Sequence, residues 1–473
     1  MASARVTCAG CRARDRRIAE LEAELDQLRQ QRSQDERSRN RQAHPFRREH
    51  TAQRPKKPGR RQGHPADLRP VPTPDQVDRV IDVPLDECPL CQAPLYDQGQ
   101  VVQYQTDLPP IVPIITQFNL ATGYCSCCRQ YWQGRHPEQT SDAIGATGNT
   151  LGPVVLTMAA EMKHRFGVSY RKICDFLHTY CHLKVCPGAF IRAEQRLAEL
   201  ARPTYELLLE ALRQSHVVHA DETSWRVGRL NAWLWVFSSK PATVYVIRTG
   251  KGARGHRVPQ DILGPDFDGY LVVDGLKTYD VLEVAKGRCN GHLLRRCHKL
   301  KGTVPGAEQE HIEALSNLLK EAIALASRRE EVQAETFARS VQSIEDRLDA
   351  WLEANLDRDR CSADLDRLDR HIRAHRGEWL AFLHDPEVPP TNNHAEQMLR
   401  PAVITRKVGG CNKNLLGALV HSILASVMVT CHRQGKRFLD LARKLWQSEK
   451  PQAIAIATLP EATTTPPMPV TSG

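Results

Sequence analysis

A chain of 473 residues is longer than the roughly 100 to 200 residues of one ordinary domain, so two or three units joined by linkers are expected. Apolar residues make up 41% and charged residues 25%, a normal globular balance, and no run reaches the roughly 18 uninterrupted apolar residues of a membrane span. The net charge is +10, and most of it is local: between Arg32 and Arg69 stand twelve Lys or Arg against four Asp or Glu.

The N-terminus carries charge with no apolar stretch behind it, which predicts no secretory signal and a reducing cytoplasmic setting. In that setting the fifteen cysteines read as thiols or metal ligands rather than disulfides. Ile18, Leu21, Leu25 and Leu28 repeat at spacings of three, four and three. This is the seam of a short coiled coil over residues 1–32 and points to self-association as a dimer or higher oligomer.

Residues 33–74 are rich in Arg, Gln and Pro and nearly devoid of apolar side chains. Such a segment cannot bury enough surface to fold alone. It reads as a basic linker whose Lys56, Lys57, Arg60 and Arg61 meet DNA phosphates.

Cys88-Pro-Leu-Cys91 and Cys125-Ser-Cys-Cys128 follow, separated by 33 residues that include Val101, Val102, Tyr104 and Ile111 to Ile115. Two Cys-x-x-Cys knuckles held by short strands predict a structural zinc site, because each delivers two thiolates to a tetrahedral ion. A zinc-binding module over 75–140 is therefore expected, with Cys127 as an alternative ligand. Cys8 and Cys11 form a pair with no second pair nearby and stay unassigned.

Residues 147–214 read as helices, with Pro187 suited to a helix start. The text then turns to strands: HVVHADETSW, NAWLWVFSS and ATVYVIRT in succession, and GYLVVDG after a loop. Three meandering strands, a crossover and a fourth strand predict an α/β fold with a mixed sheet over 215–449. A charged helical insertion occupies about 307–385, Thr391-Asn-Asn offers N-cap chemistry to a helix beginning HAEQMLR, and 450–473 reads as a disordered tail.

Three acids stand in telling places. Asp221 follows Val217-Val218 at the end of the first strand, Asp274 follows Leu271-Val272-Val273 at the end of the fourth, and Glu396 lies in the first turn of a helix. Cleaving a phosphodiester calls for two divalent ions roughly 4 Å apart, and hard ions of that kind want carboxylate oxygens. Acids at the ends of neighbouring strands converge at one edge of a sheet, and one from a helix across them completes the set. Glu222 adjoins Asp221, but strand alternation sends neighbouring side chains to opposite faces, which favours Asp221.

HADETSW, LVVDGLKTYD and TNNHAEQMLRP, in that order with a helical insertion before the last, resemble the insertion sequence 66 family of transposases. The leucine heptads, KKPGRRQGH, the paired knuckles and DLPPI extend the likeness over most of the chain. The resemblance implies a ribonuclease-H-like core, Asp221, Asp274 and Glu396 as catalytic metal ligands, and magnesium, or manganese, as the ion. It further implies cleavage at the ends of an insertion element, strand transfer into target DNA, and DNA contacts by Arg400, Arg406 and Lys407, with helper proteins as further partners. The chain departs from the family pattern at Gln397, where Arg is usual, and at VGGCNKN after Lys407, both beside the expected DNA contacts. Two other readings stay open: a structure-specific nuclease on the same fold, which cuts without joining, and a zinc-dependent DNA-binding regulator whose acids are structural.

Overall fold

The computed structural model describes residues 69–96, 99–145, 148, 150–354, 361–448 and 450–462. The seam Ile18, Leu21, Leu25, Leu28, the cations Lys56, Lys57, Arg60, Arg61 and the pair Cys8, Cys11 lie outside the described residues. The chain divides into two compact units, Met1–Pro109 and Pro110–Gly473.

In the first unit the knuckle at Cys88 is a tight turn. The Gln92 N–H donates to the Cys88 carbonyl at 2.8 Å and the Cys88 N–H to the Ala93 carbonyl at 2.9 Å, with Gln92 at φ +60°. In the second unit β1 (Thr122–Cys125) and β2 (Gln130–Gln133) form an antiparallel hairpin whose turn is the second knuckle, with Arg129 at φ +53°. Each knuckle thus places a left-handed residue directly after its last cysteine.

The strands expected around Val101, Val102, Tyr104 and Ile111 to Ile115 do not form. Val101 and Ile114 are each 95% exposed, and no strand covers 99–121. Pro109, Pro110 and Pro113 remove the N–H groups that a ladder would need, so alternation alone does not make a strand here.

The helices α1 (Pro153–His164), α2 (Tyr170–Cys181) and α3 (Pro187–Arg213) come next, α1 and α3 each opening on a proline whose missing N–H costs nothing there. A five-stranded sheet follows: β3 (Val217–Val227), β4 (Leu230–Ser238), β5 (Thr243–Thr249), β6 (Tyr270–Val273) and β7 (Ala285–Arg288), in the spatial order β5-β4-β3-β6-β7. β3, β4 and β5 are an antiparallel meander, and β6 and β7 add in parallel beside β3. The crossover from β5 to β6 carries α4 (Arg257–Leu263). At the β3–β4 turn Gly228 has φ +58°, and a Cβ there would stand 2.8 Å from the Lys413 carbonyl, so both the turn and the loop against it require glycine.

After β7 come α5 (Asn290–Lys301) and an insertion of helices α6 (Gly306–Ser327), α7 (Ala334–Glu353), α8 (Ala363–Ala374), α9 (Arg376–Trp379) and α10 (Ala381–His384). The insertion has its own core, including Ile312, Leu315, Leu348 and Leu368, and meets the sheet at Val272. Arg288, fully buried at the end of β7, fastens it there: Nη2 pairs with Asp280 at 2.5 Å and Nε with Glu378 of α9 at 2.6 Å.

The chain returns through α11 (Asn393–Ile404), α12 (Leu415–Arg433) and α13 (Phe438–Gln447). One face of the sheet, with Val218, Ala220, Trp235 and Val273, packs on α1, α3, α12 and α13. The other, with Val236, Leu234 and Trp225, packs on Ala395, Leu399 and Ala402 of α11. α12 is long and apolar enough to cross a membrane by composition, and here it is held inside the core, its Ser426 and Thr430 hydroxyls bonded to the backbone of β5 at Tyr245 and Thr243.

Residues 450–462, expected to belong to a disordered tail, are docked on the second unit. Ile456 and Leu459 are 4% and 3% exposed, Ile454 packs beside them, and the backbone at Glu461 forms a β-bridge with Lys436, so the apolar side chains of this stretch dock it.

Candidate active site

β6 pairs with β3 only from Val217 to His219, whereas β4 pairs with β3 as far as Val227. From Ala220 onward β3 therefore lacks a neighbour on one side, and Asp221 stands at the mouth of that gap. Asp274 is the first residue after β6. By strand alternation Asp221 lies on the α11 side with Trp225, and Asp274 follows the same parity as Val272. Glu222 points the other way, where Arg254 donates to Oε1 at 2.8 and 3.0 Å and the Tyr279 hydroxyl donates to Oε2 at 3.2 Å. Its carboxylate is engaged in holding the crossover.

Glu396 lies one turn into α11, and Asn392 positions that turn. Asn392 occupies the N-cap position, but its side chain does not cap the helix as the sequence suggested. It is buried, with Nδ2 donating to the Ala220 carbonyl at 2.8 Å and Oδ1 3.0 Å from Nδ1 of His219, while its backbone N–H donates to Sγ of Cys289 at 3.2 Å. A buried amide finds the unpaired sheet edge a better partner than a helix end that water can reach.

Asp221 and Glu396 line one open cavity of about 390 Å³ together with His292, Arg295, Leu399, Arg400, Val403 and Ile404. Glu396, Leu399, Arg400, Val403 and Ile404 share one face of α11 at helical spacing. Arg295 donates to Oε1 of Glu396 at 3.1 Å. Burial, and then the negative charges of Glu222, Asp274 and Glu396, push the Asp221 carboxyl up to about 7. Three oxygen donors that repel one another in this way, with no cation paired to Asp221 or Asp274 among the described residues, fit a hard divalent cation.

Arg400 and Lys407 are exposed at the cavity and beyond it. Arg406 is committed within the chain: Nη1 donates to the hydroxyls of Thr223 and Ser224, each at 2.7 Å. Sequence reasoning passed over Cys289, His292 and Arg295. Their spacing of three and three after a strand puts them on the first turns of α5 at the same sheet edge, a signal that was present in the text.

The family model described as the Transposase IS66 family matches residues 148–419, from the start of α1 into α12 and across the whole cavity. The chain belongs to this family. It is also 23% identical over 400 residues to the uncharacterized protein y4jD of Sinorhizobium fredii (strain NBRC 101917 / NGR234), a likeness covering 76% of this chain and 73% of that one. Membership in the IS66 transposase family supports DNA as the partner and a divalent metal as the cofactor.

Proposed function

We propose that this chain cuts DNA at the ends of an insertion element and joins them to target DNA, with Asp221, Asp274 and Glu396 as metal-binding catalytic carboxylates. The observation that carries the reading is that Asp221 and Glu396 line one cavity at a gap in the sheet while Asp274 follows the neighbouring strand β6, near enough that its charge, like that of Glu396, adds to burial and Glu222 in raising the Asp221 carboxyl. The order β5-β4-β3-β6-β7, with β4 antiparallel, Asp221 within β3 and Asp274 just past the end of the neighbouring β6, supports a ribonuclease-H-like core. Magnesium or manganese held by these oxygens would activate the attacking oxygen and stabilise the leaving one.

The chain's own groups do the rest. Arg400, Lys407 and Arg295 hold phosphates from the rim, and the apolar wall of Leu399, Val403 and Ile404 limits water on one side of the cavity. Asn392 holds α11 against β3 and so fixes Glu396. In the same reading Cys88, Cys91, Cys125 and Cys128 hold structural zinc, and the N-terminal heptads pair subunits so that two element ends meet.

The test is a strand-cleavage and joining assay on duplexes carrying the element's ends, with magnesium. Unaltered protein is expected to give both nicked and joined products, and Asp221→Ala, Asp274→Ala and Glu396→Gln neither, with DNA affinity retained. Nicked product without joined product would favour a nuclease. Retained binding with no cleavage by the unaltered protein would favour a regulator.

A further inference from the structure

We propose that Cys289, His292 and Glu396 form a zinc site that shares Glu396 with the catalytic carboxylates. Cys289 follows β7 as the N-cap of α5, His292 lies in the first turn of α5, and Glu396 lies in the first turn of α11. One donor atom from each lies within 4.8 Å of the other two. Tetrahedral zinc with bonds of about 2.0 to 2.3 Å spaces its donors roughly 3.5 Å apart, so the three close on an ion with side-chain shifts of about an ångström.

Two features beyond proximity point to a ligand. The half-buried His292 ring interacts with the Cys289 thiol, and its Nδ1, itself shielded from solvent, stands 3.6 Å from Oε1 of Glu396, so the imidazole lies between a sulfur and a carboxylate. Sγ of Cys289 also accepts the Asn392 N–H at 3.2 Å, an outer contact of the kind that orients metal-bound thiolates.

The donor set selects the metal. A thiolate, an imidazole and a carboxylate suit zinc, whereas magnesium takes oxygen ligands. Binding would release the thiol proton to solvent. Three protein ligands leave a fourth position for water or a phosphate oxygen, and the cavity that His292 and Glu396 line is the way in. Arg295 donates to the same Oε1, but its side chain is 60% exposed and free to turn outward. An ion here would tie α5 to α11 and lock Glu396.

The site shares Glu396 with the proposed function, but its test reads metal rather than cleavage, so either can fail alone. The full-length protein is loaded with cadmium and examined by cadmium NMR, which separates sites by the number of sulfur ligands. A resonance typical of a single sulfur ligand is expected in the unaltered protein, lost in Cys289→Ser and shifted in His292→Ala. Its absence from the unaltered protein, which requires no variant to fold, would overturn the site. So would its persistence in Cys289→Ser.

Discussion

Nδ2 of Asn392 donates to the carbonyl of Ala220, the residue before Asp221, at 2.8 Å, so one amide sets the spacing between the strand acid and the helix acid. Asn392→Ala leaves that carbonyl and His219 without partners, at a cost of roughly 1 to 3 kcal/mol. Thermal melts should show the loss, and cleavage should fall much further than DNA affinity. Equal losses in both would make Asn392 a purely structural residue.

Asp221 should make metal-free stability depend on pH. Its folded-state value of about 7 lies above the ordinary value of 3.8, so the folded protein binds the proton more tightly than the unfolded chain. That stabilisation is complete below about pH 4 and is lost as pH rises through about 7, amounting to roughly 4 kcal/mol at most. Melting temperature without metal should fall across this window, and Asp221→Asn should flatten the fall while abolishing cleavage. A pH profile unchanged by the substitution would remove Asp221 as its source.

The knuckle thiols should be primed for metal. Backbone N–H groups of Leu90 and Cys91 hold the Cys88 thiol below its usual range, and those of Cys127 and Cys128 do the same for Cys125. Elemental analysis of protein purified without chelator should show zinc, with one equivalent lost in either Cys88→Ser or Cys125→Ser. Identical zinc content in both variants and the parent would argue that the knuckles are bare turns.

Deleting residues 32–69 removes twelve Lys or Arg. DNA affinity should weaken, and its dependence on salt should become shallower, since each phosphate contact contributes about 0.9 to the slope. An unchanged slope would make the segment an inert tether.

Arg288 gives a stability test that removes none of the proposed metal ligands. It is buried and pairs with both Asp280 and Glu378, so Arg288→Ala takes the buried cation from two acids at the root of the insertion and leaves them only Lys286 and His375. Breaking such a pair costs about 3 to 5 kcal/mol. A shift in denaturation midpoint well under that range would mean that the insertion docks mainly through its apolar core.

Four of the five strands were readable because they are rich in Val, Trp and Tyr and are broken by Gly and Pro, whereas β7, Ala-Lys-Gly-Arg, carries no such signal; alternation alone separated Asp221 from Glu222. What the sequence hid depends on partners distant in the chain. Asn392 resembles a helix cap until Ala220 and His219 are brought beside it. Arg406 resembles a free cation until Thr223 and Ser224 claim it. The apolar run from Val101 to Ile115 shows the reverse failure, since an alternating pattern predicts a strand but cannot supply the neighbour that would pair with it.

The hydroxyls of Ser426 and Thr430, one helical turn apart on α12, occupy backbone groups on the outer side of β5. A strand whose outward N–H groups are already bonded offers no template for another chain to zip onto. At the far margin, α9 and α10 lie against β7. At Thr243 and Tyr245 the sheet is therefore closed against a strand from another copy, and a neighbour approaching that end of β5 meets a helix instead.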